Sequence, residues 1–183
     1  MNYLGTLIIF IVVSFLMKYL MSSSKKQPII NEKEGMTLKM NKAYGIIGYI
    51  GIAFTTAIGI IASLGTVKSN EDLFIVIGLV LFFLMLSVPL VLVSKKMKVE
   101  ADNKKVRYFG INGKTKIIMW SEINNVKFSK SMLELTLITD STKVKIHMHF
   151  IGFSGFIELM RSKIDYTLYK DAINSIENVN KRH

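Results

Sequence analysis

The sequence predicts a membrane α-helical protein, with three transmembrane helices followed by a mainly-β cytoplasmic domain that has a C-terminal helix. Three long apolar runs fill the first half of the 183 residues, and short alternating segments fill the second half. Half of the residues are hydrophobic and a fifth are charged. The apolar and the charged residues must therefore lie in different regions of the protein.

The three apolar runs are each long enough to cross a bilayer. They cover residues 3–21, 43–64 and 73–93, and Lys18 is the only charged side chain within them. The second run has 22 residues, which as a helix measure about 33 Å against a hydrocarbon core of about 30 Å. Residues 1–93 are therefore predicted to form a three-helix transmembrane region.

The first run has an alternative interpretation as a signal peptide, with cleavage after residue 22, 23 or 24. Its positive charges follow the apolar run instead of preceding it. This arrangement favours a helix that is retained in the mature protein.

Lysines in the loops predict the orientation in the membrane. Residues 22–42 carry five lysines, whereas residues 65–72 carry only Lys68 beside two acidic residues. Lys95, Lys96 and Lys98 follow the third run. The positive-inside rule then predicts a multi-pass plasma-membrane protein with its N-terminus outside and residues 94–183 in the cytoplasm.

Small residues recur along the second run and predict a helix-packing interface at Gly45, Gly48, Gly51 and Gly59. Two interpretations stay open. The glycines face a membrane protein partner or a second copy, or they pack against the chain's own other helices. The lack of charged residues at membrane depth argues against a self-sufficient transporter or channel.

The second half of the chain begins with a predicted β-hairpin. Asn112 and Gly113 separate two alternating segments, which is typical of a two-residue hairpin turn. This turn places Tyr108 opposite Ile117. It predicts that the core face of the hairpin consists of Val106, Tyr108, Ile117 and Met119.

Further strands and two helices are predicted after the hairpin. The strands cover residues 125–129, 132–139 and 143–149. Gly152 opens a helix whose apolar stripe is Phe153, Phe156, Ile157, Met160 and Ile164. A weaker helix over about 168–179, within a C-terminal extension of residues 165–183, is expected to cover the outer face of the hairpin.

Several motifs occur in order within residues 94–164. They are Val99-Glu100-Ala101-Asp102, Trp120-Ser121-Glu122-Ile123 with Val126 and Phe128, the strands of Leu133, Leu135, Leu137 and of Val144, Ile146, and Gly152-Phe153. With these motifs the segment resembles a bacterial pleckstrin-homology (PH) domain of the kind fused to small membrane proteins. The resemblance implies a small, strongly bent β-sandwich or barrel with a C-terminal helix at one end. It also implies a role in binding or assembly and not in catalysis.

The cytoplasmic region is strongly basic, with 17 Lys and Arg residues against nine Asp and Glu residues from position 94 onward. Juxtamembrane lysines each gain about 1 kcal/mol near an anionic leaflet. Contact with membrane lipids is therefore predicted for Lys95, Lys96, Lys98, Lys104, Lys105, Lys114 and Lys116. The positive-inside rule by itself accounts fully for the first three of these.

The sequence contains no recognisable catalytic or metal-binding motif. It has no cysteine, and His147 and His149 are expected to point into solvent from one strand. We therefore expect no enzyme activity, no cofactor, no metal site, no small-molecule substrate and no nucleic-acid partner.

These expectations together describe an accessory or regulatory membrane protein whose PH-like domain binds a partner protein or the anionic inner leaflet. Two alternatives remain. One is a self-protection (immunity) factor against membrane-active peptides, and the other is a structural subunit of a larger membrane transport complex.

Overall fold

The computed structural model describes residues 18–19, 22, 26–31, 35–66 and 69–181. It divides the chain into a helical unit, Lys42–Met97, and a mainly-β unit that combines the described parts of Met1–Asn41 and Lys98–His183. The first predicted span, residues 3–21, lies outside the described residues except for Lys18 and Tyr19, which are helical.

The helical unit consists of two long helices, α1 (Lys42–Ile61) and α2 (Asn70–Lys96). After α1 the backbone leaves the helix within Ala62–Thr66, where Gly65 has a φ of 90°. Ser69 caps α2, because its hydroxyl accepts from the N–H of Asp72 (3.1 Å) while the Asp72 carboxylate accepts from the N–H of Ser69 (3.2 Å). Both helices are long and apolar enough to cross a membrane. The third predicted run lies within α2, whereas the second, residues 43–64, extends beyond α1 into Ala62–Thr66.

Three of the four predicted interface glycines lie in the contact between α1 and α2. A Cβ atom at Gly48 would lie 2.8 Å from the Ser87 carbonyl oxygen, and one at Gly45 would lie 2.8 Å from the Ser94 hydroxyl. A Cβ atom at Gly51 would collide with the side chain of Ser87. Gly59 has open space around its Cα.

The β unit contains two antiparallel sheets. The six-stranded sheet has the order β1-β2-β3-β4-β5, with β9 pairing to the second half of β2. Its strands are β1 (Ile29–Asn31), β2 (Gly35–Met40), β3 (Lys98–Ala101), β4 (Lys105–Phe109), β5 (Thr115–Met119) and β9 (Phe150–Ile151). The three-stranded sheet contains β6 (Asn125–Ser129), β7 (Glu134–Ile138) and β8 (Lys143–His147) in that order.

Strands β1 and β2 precede the helices in the chain, in a segment where the sequence predicted only a loop. β2 pairs with β3, which follows the helices, with Lys39 opposite Lys98 and Met36 opposite Ala101. The two helices are therefore an insertion between neighbouring strands of one sheet. The β unit begins before the helices, and residues 94–164 do not contain all of its strands.

The core of the β unit is formed by the inner faces of both sheets and by helix α3 (Phe153–Arg161). The fully buried side chains include Leu38, Val99, Val106, Ile118, Leu135, Leu137, Ile146, Phe153, Phe156 and Met160. The Trp120 ring lies 5.8 Å from the ring of Phe156, and its N–H donates to the carbonyl of Asp102 (2.8 Å). Four of the five residues predicted for the apolar stripe of the first C-terminal helix are buried in α3, namely Phe153, Phe156, Ile157 and Met160. The fifth, Ile164, lies beyond the end of α3 at Arg161 and is half-buried.

The predicted register of the β4–β5 hairpin is wrong by one residue. Val106 lies opposite Ile118, and Ile117 lies opposite Arg107. The loop has three residues, 111–113, instead of two. A two-residue turn would need a positive φ at both Asn112 and Gly113, but only Gly113 has one (76°), and its N–H donates to the Gly110 carbonyl (3.1 Å). A shift of one residue exchanges the two faces, so Ile118 is buried and Ile117 is exposed.

The second C-terminal helix, α4 (Tyr166–Asn180), packs along β6 and does not cover the outer face of the hairpin. Only residues 162–165 separate α3 from α4, which keeps α4 close to the end of α3. Its buried side chains are Tyr169, Ala172, Ile173, Ile176 and Val179.

We predict that Gly48→Leu separates α1 from α2, because its side chain would collide with the backbone of α2 at Ser87. Nitroxide labels on cysteines introduced at Lys42 and Lys96 would measure the separation, and the chain has no cysteine that would interfere. We expect a longer and broader distance distribution than in the unsubstituted chain.

Gly59→Leu is the matched control, because no atom lies within 4 Å of the Cβ that it would add. The same distance distribution in the Gly48→Leu protein and in the unsubstituted chain would contradict the contact.

Candidate functional site

One end of the large sheet is basic. At this end β2 continues into α1 and β3 begins after α2. We call it the basic end, and its lysines are Lys39, Lys98, Lys114 and Lys116. Lys39 and Lys98 lie directly opposite each other on β2 and β3. Phe109 on β4 pairs with Lys98 on one side and with Thr115 on the other. The chain passes from β2 to α1 through Asn41 and from α2 to β3 through Met97. Sequence reasoning found three of these lysines and missed Lys39.

Lys98 is partly neutralised by a neighbouring carboxylate. Its ammonium lies 2.7 Å from Glu100 Oε1, and the Arg107 guanidinium lies 3.3 Å from Glu100 Oε2. The ammonium also lies 4.2 Å from the centre of the Phe109 ring. Two like charges opposite each other on paired strands repel, so Glu100 offsets the repulsion between Lys98 and Lys39.

The exposed side chain of Lys116 reaches from the large sheet to the small sheet. Its ammonium donates to the backbone carbonyl of Lys143 (2.8 Å), the first residue of β8. The carbonyl is a neutral acceptor, so Lys116 keeps its full positive charge. Lys114, in the hairpin loop, is exposed.

Lys104 lies in the turn between β3 and β4 and Lys105 is the first residue of β4, at the opposite end of the sheet from the basic end. Strand β4 separates the two ends by about 13 Å, since four residue steps of about 3.3 Å lie between Lys105 and Phe109. Burial opposes ionisation of Asp102 in this turn, but the N–H groups of Lys104 (2.7 Å) and Lys105 (2.9 Å) bind its carboxylate and its pKa is lowered overall. The predicted lysines therefore form two groups.

The remaining predicted lysines, Lys95 and Lys96, are exposed in the last turn of α2. The Lys95 ammonium lies 5.3 Å from the centre of the Tyr49 ring on α1. Positive charge at a helix C-terminus is favourable, because it compensates the negative end of the helix dipole.

A groove of about 560 Å³ opens at the Lys104 end of the sheet. Its walls come from the start of β2, the β3–β4 turn, the end of β5 and α3. The lining includes Ile30, Met36, Ala101, Asp102, Lys104, Met119 and Leu159. This volume is within the usual range of ligand pockets, roughly 300–1,000 Å³.

The expectation that His147 and His149 both point into solvent is wrong. Strand β8 ends at His147, and His149 is only 4% exposed. The ring centres lie 4.5 Å apart, and the backbone N–H of His149 donates to His147 Nδ1 (3.1 Å). In the part of the chain that the structure describes, no group of three or more His, Asp and Glu side chains could hold a metal ion.

The buried histidines predict a loss of stability in acid. Burial lowers the pKa of His149 from 6.5 to about 4, and nearby His147 adds to the shift. The unfolded chain binds a proton at His149 below about pH 6.5, whereas the folded chain binds it only near pH 4. His149 therefore stabilises the fold above about pH 6.5, and we expect on the order of 3 kcal/mol to be lost as the pH falls to about 4.

Urea titrations of the full chain in detergent, followed by the fluorescence of Trp120, would measure this loss in the β unit alone, because Trp120 is the only tryptophan. His149→Gln is the control, since it removes the titrating group. An equal pH dependence in both proteins would contradict the role of His149.

Comparisons of this chain with protein-family models, with curated proteins and with solved structures find no match. What the chain does is therefore inferred from its own residues.

Proposed function

We propose that this chain is a non-enzymatic, membrane-anchored binding module. Its apolar helices hold the β unit at the cytoplasmic surface of the membrane, and the basic end of the large sheet meets anionic lipid headgroups. The β unit is then also available to a partner protein. The single observation that supports this proposal is the insertion of α1 and α2 between the paired strands β2 and β3.

The insertion supports a common location for both parts of the β unit. β2 precedes the helices and β3 follows them, and paired strands of one sheet have to lie on the same side of a membrane. The helices then enter and leave the bilayer on that side. Lys39, Lys42 at the start of α1, and Lys95 and Lys96 at the end of α2 favour the cytoplasmic side by the positive-inside rule.

The short connections support lipid contact at the basic end. One residue, Asn41 or Met97, separates each strand from its helix, so the chain crosses the membrane surface next to Lys39 and Lys98. Each lysine near an anionic leaflet contributes about 1 kcal/mol. Lys104 and Lys105 lie about 13 Å further along the strands, beyond the Debye length of about 8 Å at physiological salt.

The architecture of the β unit supports a PH-like fold. Two antiparallel sheets and helices at the C-terminal end of the chain are features that a PH domain implies. The helical insertion between β2 and β3 occupies the position of a hairpin loop. A binding role agrees with this fold, whereas function itself has to follow from the exposed residues.

We predict that a fluorophore at the basic end is quenched by lipid headgroups. The full chain carries the label on Thr115→Cys, and nanodiscs contain anionic lipid and a headgroup-attached quencher. Because lysines attract the anionic leaflet, we expect strong quenching at low salt and less quenching at high salt. Charge reversal by Lys114→Glu should weaken it.

A label on Asn103→Cys, in the β3–β4 turn, is the control at the opposite end of the sheet. Its quenching should be weak at every salt concentration. Equal quenching at the two positions would refute the proposed contact. Quenching at Thr115→Cys that does not change with salt or with lipid charge would also refute it.

A further inference from the structure

Strand β5 is an exposed edge of the large sheet. Within the described chain it pairs only with β4. Four of its five residues are exposed, among them two large apolar side chains, Ile117 (55% exposed) and Met119 (41% exposed). An exposed apolar edge strand is a template for pairing with another chain.

The backbone of β5 presents unused hydrogen-bonding groups along this edge. The N–H of Gly110 donates to the carbonyl of Lys114, and the N–H of Trp120 donates to the carbonyl of Lys104. Backbone groups alternate along an antiparallel strand. The even-numbered residues therefore bond to β4, while Thr115, Ile117 and Met119 direct their N–H and C=O groups outward.

One of these outward groups is covered within the chain. The Glu122 carboxylate accepts from the N–H of Met119 (3.1 Å). In the described residues no hydrogen bond involves the outward N–H and C=O groups of Thr115 and Ile117. The open part of the edge therefore lies between Thr115 and Ile117.

The charge beside this open edge is positive. Lys114 and Lys116 flank Thr115, and the contact between Lys116 and the Lys143 carbonyl brings Lys143 close to β5. Among the described residues, none of these three lysines forms an ion pair. A second copy of the chain would present the same positive charge and be repelled, whereas an acidic segment would be attracted.

We infer that the β5 edge is a docking strand that accepts an extended, acidic segment of a partner protein by β-strand addition. Main-chain bonds to Thr115 and Ile117 provide the pairing. Exposed Ile117 and Met119 receive apolar side chains, and the three lysines select Asp and Glu. The inference rests on the proposed function, since it specifies the partner that a membrane-anchored module would hold.

The first experiment is a selection of random phage-displayed peptides on the full chain in nanodiscs, with empty nanodiscs as counter-selection. We expect enriched peptides that combine β-branched or aromatic residues with Asp and Glu. No enrichment, or enriched peptides without acidic residues, would overturn the inference.

Ile117→Pro tests the edge with the peptides so selected. Proline removes the outward N–H and is tolerated on an edge strand, so the β4–β5 pairing survives. We expect affinity to fall by about tenfold or more. Ile117→Thr is the matched control, because it keeps the N–H and the β-propensity, and it should lose much less affinity. Equal losses in both proteins would overturn the inference.

Amide hydrogen exchange on the unsubstituted chain tests the edge without relying on a variant. The Ile117 amide should exchange quickly in the free protein and become protected when a selected peptide binds, while the Ile118 amide is protected throughout. If the Ile117 amide is protected without peptide and loses that protection on dilution, a second copy occupies the edge. If its protection without peptide requires anionic lipid, the bilayer occupies the edge. Either result would overturn the inference.

The two proposals fail separately. Headgroup quenching at Thr115→Cys is measured without peptide and does not need a free edge. If the label is quenched but no acidic peptide is enriched, the membrane contact stands and the docking strand is refuted. If acidic peptides are enriched but the label is not quenched, the docking strand stands and the membrane contact is refuted.

Discussion

The pairing of β2 with β3 is the constraint on which the rest of the β unit depends. These strands are separated in the chain by residues 41–97, and closing a flexible loop of that length costs roughly 4 kcal/mol or more. This is comparable to the total stability of a small domain. The contact between α1 and α2 reduces this cost, because Gly45 beside Ser94 brings the start of α1 next to the end of α2. Close helix packing thus helps the sheet to form.

The sheet in turn decides which charges act together. Antiparallel pairing collects Lys39, Lys98 and Lys114 at the end where the helices begin and end, and it moves Lys104 to the other end. Glu100 lies between Lys98 and Arg107 and neutralises part of the outer face. The positive charge is therefore concentrated near the helix connections, which are assigned to lipid, and beside β5, which is assigned to a partner. Lys114 and Lys116 belong to both regions.

The length of one hairpin loop determines the chemistry of the β5 edge. The loop has three residues instead of two, and every side chain of β5 therefore lies on the face opposite to the predicted one. Ile118 enters the core and Ile117 is left exposed. Asn-Gly predicts a turn at this position, but the same dipeptide fits loops of two or three residues, and the choice between them depends on which strand face can be buried.

The sequence by itself determined the elements whose signal is local. It predicted both described apolar helices, the strands of the small sheet and the stripe of α3, because hydrophobic periodicity depends only on near neighbours. The alternation of Met36, Leu38 and Met40 is also typical of a strand and indicates β2. This pattern is easily overlooked, because the segment is a short connection between two long apolar runs. Only the tertiary structure decided that β2 joins β3, that His149 is buried and that Gly48 faces α2. Each of these depends on residues distant in the chain, and no local pattern encodes that proximity.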